Sequence, residues 1–134
     1  MYVSLKKVRK HPVSLTLVVM IWVVCLIPIP ENPLSHVALI DKWTHFGMYG
    51  MLCLIIWLER LFIRNGSSLS FPSSLGNWCV CLLLPMLMGG LVELAQANLT
   101  TCRSGEWLDF AANSIGVLLG NILGAIVYFI MTKR

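Results

Sequence analysis

Charge is scarce in this sequence. Ten Lys and Arg and six Asp and Glu make 12% of its 134 residues charged, against 57% hydrophobic. A soluble domain carries about 25% charged residues and avoids large contiguous apolar patches, so a water-soluble class is excluded and a bilayer environment is expected. Cysteine offers no framework. Cys25, Cys53, Cys79 and Cys81 lie within apolar runs, where Cys behaves as a small hydrophobe, and Cys102 stands alone in a polar stretch. Cys79-x-Cys81 is neither a redox CxxC nor a metal knuckle, and all five read as structural. HExxH, GxSxG and a cysteine paired with histidine are absent, which removes the hydrolases recognised by those motifs. The net charge of +4 comes without a basic stripe interleaved with aromatics, so nucleic acid is not expected as a partner.

What is present is four apolar runs: about 13–29, 43–63, 78–97 and 110–131. Each approaches the ~20 residues that cross a ~30 Å hydrocarbon core as a helix. The expected fold is an all-α membrane protein, a single domain over 1–134 forming a bundle of four transmembrane helices. Its two helical hairpins could pack as similar halves. The first run ends at Pro28-Ile29-Pro30, because proline lacks the N–H and clashes with the preceding turn. No small-x-small cleavage site follows the basic segment Lys6, Lys7, Arg9, Lys10, so the first run is expected to stay as an uncleaved helix. The segment 65–77, rich in Ser, Gly and Asn, reads as a flexible connector.

Orientation follows from the bases. With both termini cytoplasmic, eight Lys and Arg fall inside (Lys6, Lys7, Arg9, Lys10, Arg60, Arg64, Lys133, Arg134) and two outside (Lys42, Arg103), the asymmetry of the positive-inside rule. Trp43, Trp78 and Trp107 fall at expected helix ends, where an amphipathic ring prefers the headgroup zone.

Polar residues concentrate at the outer ends of the expected spans. Asp41, His45 and Tyr49 share one face of helix two at i, i+4, i+8; Glu93 and Gln96 lie three apart on helix three; Asp109 and Asn113 lie four apart on helix four. An ionised side chain at a membrane helix centre costs ~2.5–3.5 kcal/mol on insertion scales, so these groups are expected to face one another in a polar pocket open to the outside. Lys42 and Arg103 are the cations within reach. Plainer readings exist for each residue. Asp41 and Asp109 could cap their helices, Asn113 and Gln96 could bridge helices, His45 could bond a neighbour at the interface, and Arg103 and Glu106 could be solvated loop charges. Glu93, flanked by Leu91, Val92 and Leu94, is the hardest to dismiss. Asp41, His45, Glu93 and Asp109 could also hold a divalent cation, since carboxylates with imidazole suit Zn or Mn. Ala112, Gly116, Gly120 and Gly124 form a small-residue stripe for close helix packing. Pro85 and Gly89-Gly90 mark an expected kink in helix three.

The ordered set Asp41-Lys42-x-x-His45-Phe46-x-x-Tyr49, Glu93-x-x-Gln96, Arg103 and Asp109-x-x-x-Asn113-x-x-Gly116 with Gly120 resembles the VanZ-like family of bacterial membrane proteins. The resemblance runs from about Pro30 to the end of helix four. It departs before Arg103, where Ala97-Asn98-Leu99-Thr100-Thr101-Cys102 replaces an aromatic-Pro-Gly-like turn. The resemblance implies a multi-pass protein of the bacterial inner (cytoplasmic) membrane, acting at the cell envelope in resistance to teicoplanin-type glycopeptides. The partners it implies are a membrane lipid and a lipid-linked cell-wall precursor or the glycopeptide; it implies no established reaction, no named cofactor and no homo-oligomer. Two readings stand. One is an accessory protein binding an envelope lipid or a divalent cation without chemistry of its own. The other is a small intramembrane hydrolase or transferase acting on a lipid-linked envelope substrate.

Overall fold

The computed structural model describes residues 12–28, 39–63, 78–101 and 105–133. These form four helices: α1 (Pro12–Leu26), α2 (Ile40–Ile63), α3 (Cys79–Leu99) and α4 (Trp107–Thr132). Three of them, over Ile40–Phe62, Cys79–Leu99 and Trp107–Met131, are long and apolar enough to cross a membrane and mark the chain as a membrane protein. Leu84 and Leu99 of α3 and Leu118, Ile122 and Ile126 of α4 stay exposed on the outside of the bundle, as lipid-facing residues should. The basic segment Lys6–Lys10, the connector 65–77 and Arg103 lie outside the described residues.

Three boundaries differ from the sequence expectation. α1 ends at Leu26, ahead of Pro28, because a proline disfavours helical backbone in the residue before it. Its 15 residues reach about 22 Å at 1.5 Å per residue, short of a full hydrocarbon core. α2 and α4 begin earlier than their apolar runs, at Ile40 and Trp107, so Asp41 and Asp109 lie inside first turns. A hydropathy boundary misses such turns. The unpaired N–H groups of a helix start favour acids there, and an acid ends the apolar run.

The helices do not pack as two sequential hairpins. The most extensive contact is α2 with α4, and the small-residue stripe makes it. A side-chain carbon at Gly116 would collide with the Phe46 carbonyl, at Gly120 with the Gly50 carbonyl, and at Gly124 with the Trp57 ring. Close backbone approach of this kind drives helix association in lipid, where hydrophobicity between helices contributes nothing. Ala112 lies half-buried one turn before Gly116. The core between the helices is Tyr49, Leu52, Cys53, Ile56 and Trp57 of α2 with Cys81, Val92, Val117 and Tyr128.

The irregularity in α3 sits before Pro85, not at Gly89-Gly90. Its opening turn, Cys79–Leu83, is π-helical. Proline has no N–H to give the carbonyl four residues back, which is that of Cys81. Inside a membrane a freed carbonyl must find another donor. Asn121 of α4 supplies it, Nδ2 to Cys81 O at 2.8 Å, and the Cys53 thiol donates to the same oxygen at 3.6 Å. The Asn121 carbonyl in turn accepts the Trp57 indole N–H at 2.9 Å. One amide thus joins α2, α3 and α4.

α1 is held at both ends by other helices. Glu59 of α2 accepts the backbone N–H groups of Val13 (2.7 Å) and Ser14 (3.3 Å) through Oε1 and the Ser14 hydroxyl (2.6 Å) through Oε2. A residue from a different helix therefore fills the capping role. At the far end Gln96 of α3 donates to Cys25 O at 2.8 Å.

Two outcomes follow from this packing. Gly120→Leu separates α2 from α4 and lowers the amount of monodisperse protein recovered from membranes, read by size-exclusion chromatography in detergent. Asn121→Ala strands a carbonyl and an indole N–H and costs about 1–3 kcal/mol in detergent unfolding. In a Pro85→Ala background the penalty shrinks, because the substituted alanine brings the backbone N–H that the Cys81 carbonyl lacks.

Candidate functional site

The polar cluster forms where the starts of α2 and α4 meet the last turns of α3. The α2–α4 glycine contacts set its width, and the α2 spacing then aims Asp41 and His45 at α4 on one face. His45, Glu93, Asp109 and Asn113 are all buried, at 1%, 8%, 2% and 0% exposure.

Asn113 is the joint of the cluster. Its Nδ2 donates to Glu93 Oε1 at 3.2 Å, and its Oδ1 lies 3.0 Å from His45 Nδ1. A carboxylate can only accept, so the amide nitrogen must face Glu93 and the amide oxygen must face the imidazole. His45 therefore carries its proton on Nδ1, which also lies 3.6 Å from Glu93 Oε1. The other carboxylate oxygen of Glu93 accepts the backbone N–H of Glu106 at 3.3 Å. That contact exists because Gly105 has no side chain. A Cβ there would strike the Glu93 carbonyl, so only glycine lets the chain entering α4 lie against α3.

Lys42 holds the second half of the cluster. Its Nζ lies 2.6 Å from Glu106 Oε2, 2.8 Å from Asp109 Oδ1 and 4.0 Å from Asp41 Oδ2. Asp109 does not cap α4: the N-cap is Glu106, and Asp109 turns inward to the ammonium. Glu106, read from the sequence as a solvated loop charge, is instead a partner of both Lys42 and Glu93. His45 Nε2 faces Asp41 Oδ1 at 3.9 Å. Ligand atoms of Asp41, His45 and Asp109 lie within 4.8 Å of one another. Glu93, counted from the sequence with this possible metal set, stands on the opposite, Nδ1 side of the imidazole.

Two expected members do different work. Tyr49 lies fully buried, its ring edge beside Gly89, and its hydroxyl has no hydrogen-bond partner among the described residues. It forms a floor instead of a wall. Gln96 is not in the cluster: it serves Cys25 O of α1. Residues 93 and 96 are about 60° apart around the helix at 3.6 residues per turn, enough for one to face α4 and the other α1. Asn98 and Thr100 turn back onto the α3 backbone, to Leu94 O and Gln96 O.

Beside the cluster, between α3 and α4, lies a cleft of about 660 Å³. Leu83, Leu87, Leu91, Leu94, Trp107 and Phe110 line it, and Glu93 and Glu106 stand at its polar end. An open apolar cleft with hydrogen-bonding groups in its lining has the chemistry to take an amphiphile, with hydrocarbon against the leucines and a polar head toward Glu93 and Glu106.

No family model, curated protein or solved structure matches this chain.

Asn113→Ala removes the group that satisfies both Glu93 and His45. The expected loss is about 1–3 kcal/mol, with the largest rise in amide hydrogen exchange at the starts of α2 and α4. Unchanged exchange there would show that the cluster holds together without its amide.

Proposed function

We propose that this chain is a VanZ-like protein of the bacterial cytoplasmic membrane, spanning it four times with both termini inside, whose polar pocket opens outward and binds an envelope lipid. The observation that carries the reading is the apolar cleft running along α3 and α4 to the carboxylates of Glu93 and Glu106. Further support comes from the ordered motif set Asp41 to Gly120 and from the eight-to-two distribution of bases. α1 shares the inner-to-outer direction this topology requires. It runs from Glu59, near the basic end of α2, to Gln96, near the polar end of α3.

In this reading the protein confers tolerance to a teicoplanin-type glycopeptide by engaging a membrane lipid or a lipid-linked wall precursor, with no reaction of its own. The alternative is a small hydrolase or transferase acting on a lipid-linked envelope substrate. It draws on one observation: His45, oriented through Nδ1 by Asn113, presents Nε2 as a general base would.

Expression in a sensitised bacterial host should raise teicoplanin tolerance. Glu93→Gln and Asp109→Asn should abolish the effect at unchanged membrane abundance, while Gly120→Leu, which spreads α2 from α4, should lower abundance. Silent acid variants at normal abundance would sink the pocket reading. His45→Gln separates the two functions: loss of tolerance with retained lipid co-purification favours the enzyme.

A further inference from the structure

The imidazole of His45 is 1% exposed, and its two nitrogens are treated differently. Nδ1 is committed to Asn113, which is itself fixed by Glu93. Nε2 has no hydrogen-bond partner among the described residues, and Asp41 Oδ1 at 3.9 Å is too far to be one. A buried imidazole nitrogen is thus held in place by two supporting residues beside Asp41, and ligand atoms of Asp41, His45 and Asp109 lie within 4.8 Å of one another. This is the arrangement of metal-binding histidines, whose second nitrogen donates to an oxygen acceptor that fixes tautomer and ring orientation.

We propose that Asp41, His45 through Nε2, and Asp109 form a three-ligand site for a divalent cation of zinc or manganese type, and that the ion exchanges with the tethered ammonium of Lys42. The inference deepens the reading of this cluster as a ligand pocket and rests on it. Mixed carboxylate and imidazole donors suit zinc or manganese better than magnesium, which demands octahedral oxygen. The donor atoms lie within 4.8 Å of one another, so small inward rotations of the carboxylates bring them to the ~2.0–2.2 Å of a zinc sphere.

Lys42 gives the site its distinctive behaviour. Its ammonium lies among these same acids, 2.8 Å from Asp109 and 4.0 Å from Asp41, while its shortest contact, 2.6 Å, is to Glu106. The Glu106 side chain is 48% exposed. Lys42 can therefore keep Glu106 and release Asp109 to the ion. Three protein ligands leave a coordination position open, as in zinc sites that take an exogenous oxygen. A phosphate oxygen is the natural occupant. A cluster bearing Asp41, Glu93, Glu106 and Asp109 against Lys42 would otherwise repel an anionic headgroup. With the ion in place, such a headgroup gains a ligand bond at the cluster.

The test uses the full chain, stripped of metal and reconstituted in neutral-lipid nanodiscs, titrated separately with ZnCl2, MnCl2 and MgCl2 by calorimetry. Metal content is measured after gel filtration, and Co2+ substitution gives a spectroscopic signature of the ligands. Stoichiometric zinc or manganese in the wild type is expected. Binding should be lost in His45→Gln and Asp109→Asn and weakened about 10–100-fold in Asn113→Leu, the usual effect of removing a group that orients a ligand. Lys42→Met should bind more tightly than the wild type, since the internal competitor is gone. Two results would overturn the proposal: no stoichiometric ion in either the wild type or Lys42→Met, or undiminished binding in His45→Gln of native elution volume. A metal-free protein whose teicoplanin tolerance still depends on Glu93 would reject the ion and leave the lipid reading intact. Bound metal with acid variants silent in tolerance would support the ion and reject the reading.

Discussion

In a hydrocarbon core no water takes up a stray hydrogen-bonding group, so every polar atom inside the bundle needs a partner from the chain itself. Three ties between helices here answer to that constraint. Pro85 frees the Cys81 carbonyl, and Asn121 crosses from α4 to meet it. The start of α1 exposes two N–H groups, and Glu59 crosses from α2 to accept them. Pro28 stops α1 and leaves the Cys25 carbonyl to Gln96 of α3. In each case a local break in the backbone ladder becomes a specific tie to another helix. Helices that associate without a hydrophobic driving force gain orientation from such ties.

The glycine stripe makes the longer ties possible. With α2 and α4 in backbone contact at Gly116 and Gly120, His45 and Asn113 come within hydrogen-bonding distance, and so do Trp57 and Asn121. Four-residue steps along both helices repeat these levels: 45, 49, 53 and 57 on α2, and 109, 113, 117 and 121 on α4. The seam that holds the bundle is continuous with the cluster at its end. Site and scaffold therefore share one register, and a shift of α4 along α2 would undo both.

Much of this was legible in the sequence, and the limits have physical causes. The i, i+4, i+8 placement of Asp41, His45 and Tyr49 put them on one helix face, and the four-residue step from Asp109 to Asn113 did the same for α4. Spacing gives the face of a helix but not its neighbour. Gln96 lay close to Glu93 in projection, yet a rotation of about 60° turned it to α1. Asn121 passed unnoticed although a signal existed: a mid-span proline at 85 implies an unpaired carbonyl at 81 and hence an amide or hydroxyl on another helix. The capping role of Glu59 was not legible, because it depends on where α1 begins in space. The starts of α2 and α4 were placed late because hydropathy ends where the acids of a first turn begin.

The partners of the acids decide which of them are available for function. Glu93 is satisfied by two neutral donors, the Asn113 amide and the Glu106 N–H, which fixes it in place and makes it an orienting group. Asp109 and Glu106 share one ammonium, so a competing cation can divide them. Asp41 keeps its side chain 43% exposed at the mouth of the cluster, beside an imidazole whose far nitrogen is already committed. The gradient runs from rigid, neutral bonding at Glu93 to exchangeable ionic contact at Lys42. A binding site needs both properties, because supporting residues must hold still while the groups that meet a ligand must be free to trade partners. In the proposed site Glu93, held by neutral donors, is therefore the frame, and Asp41, Asp109 and His45 Nε2 are the working face.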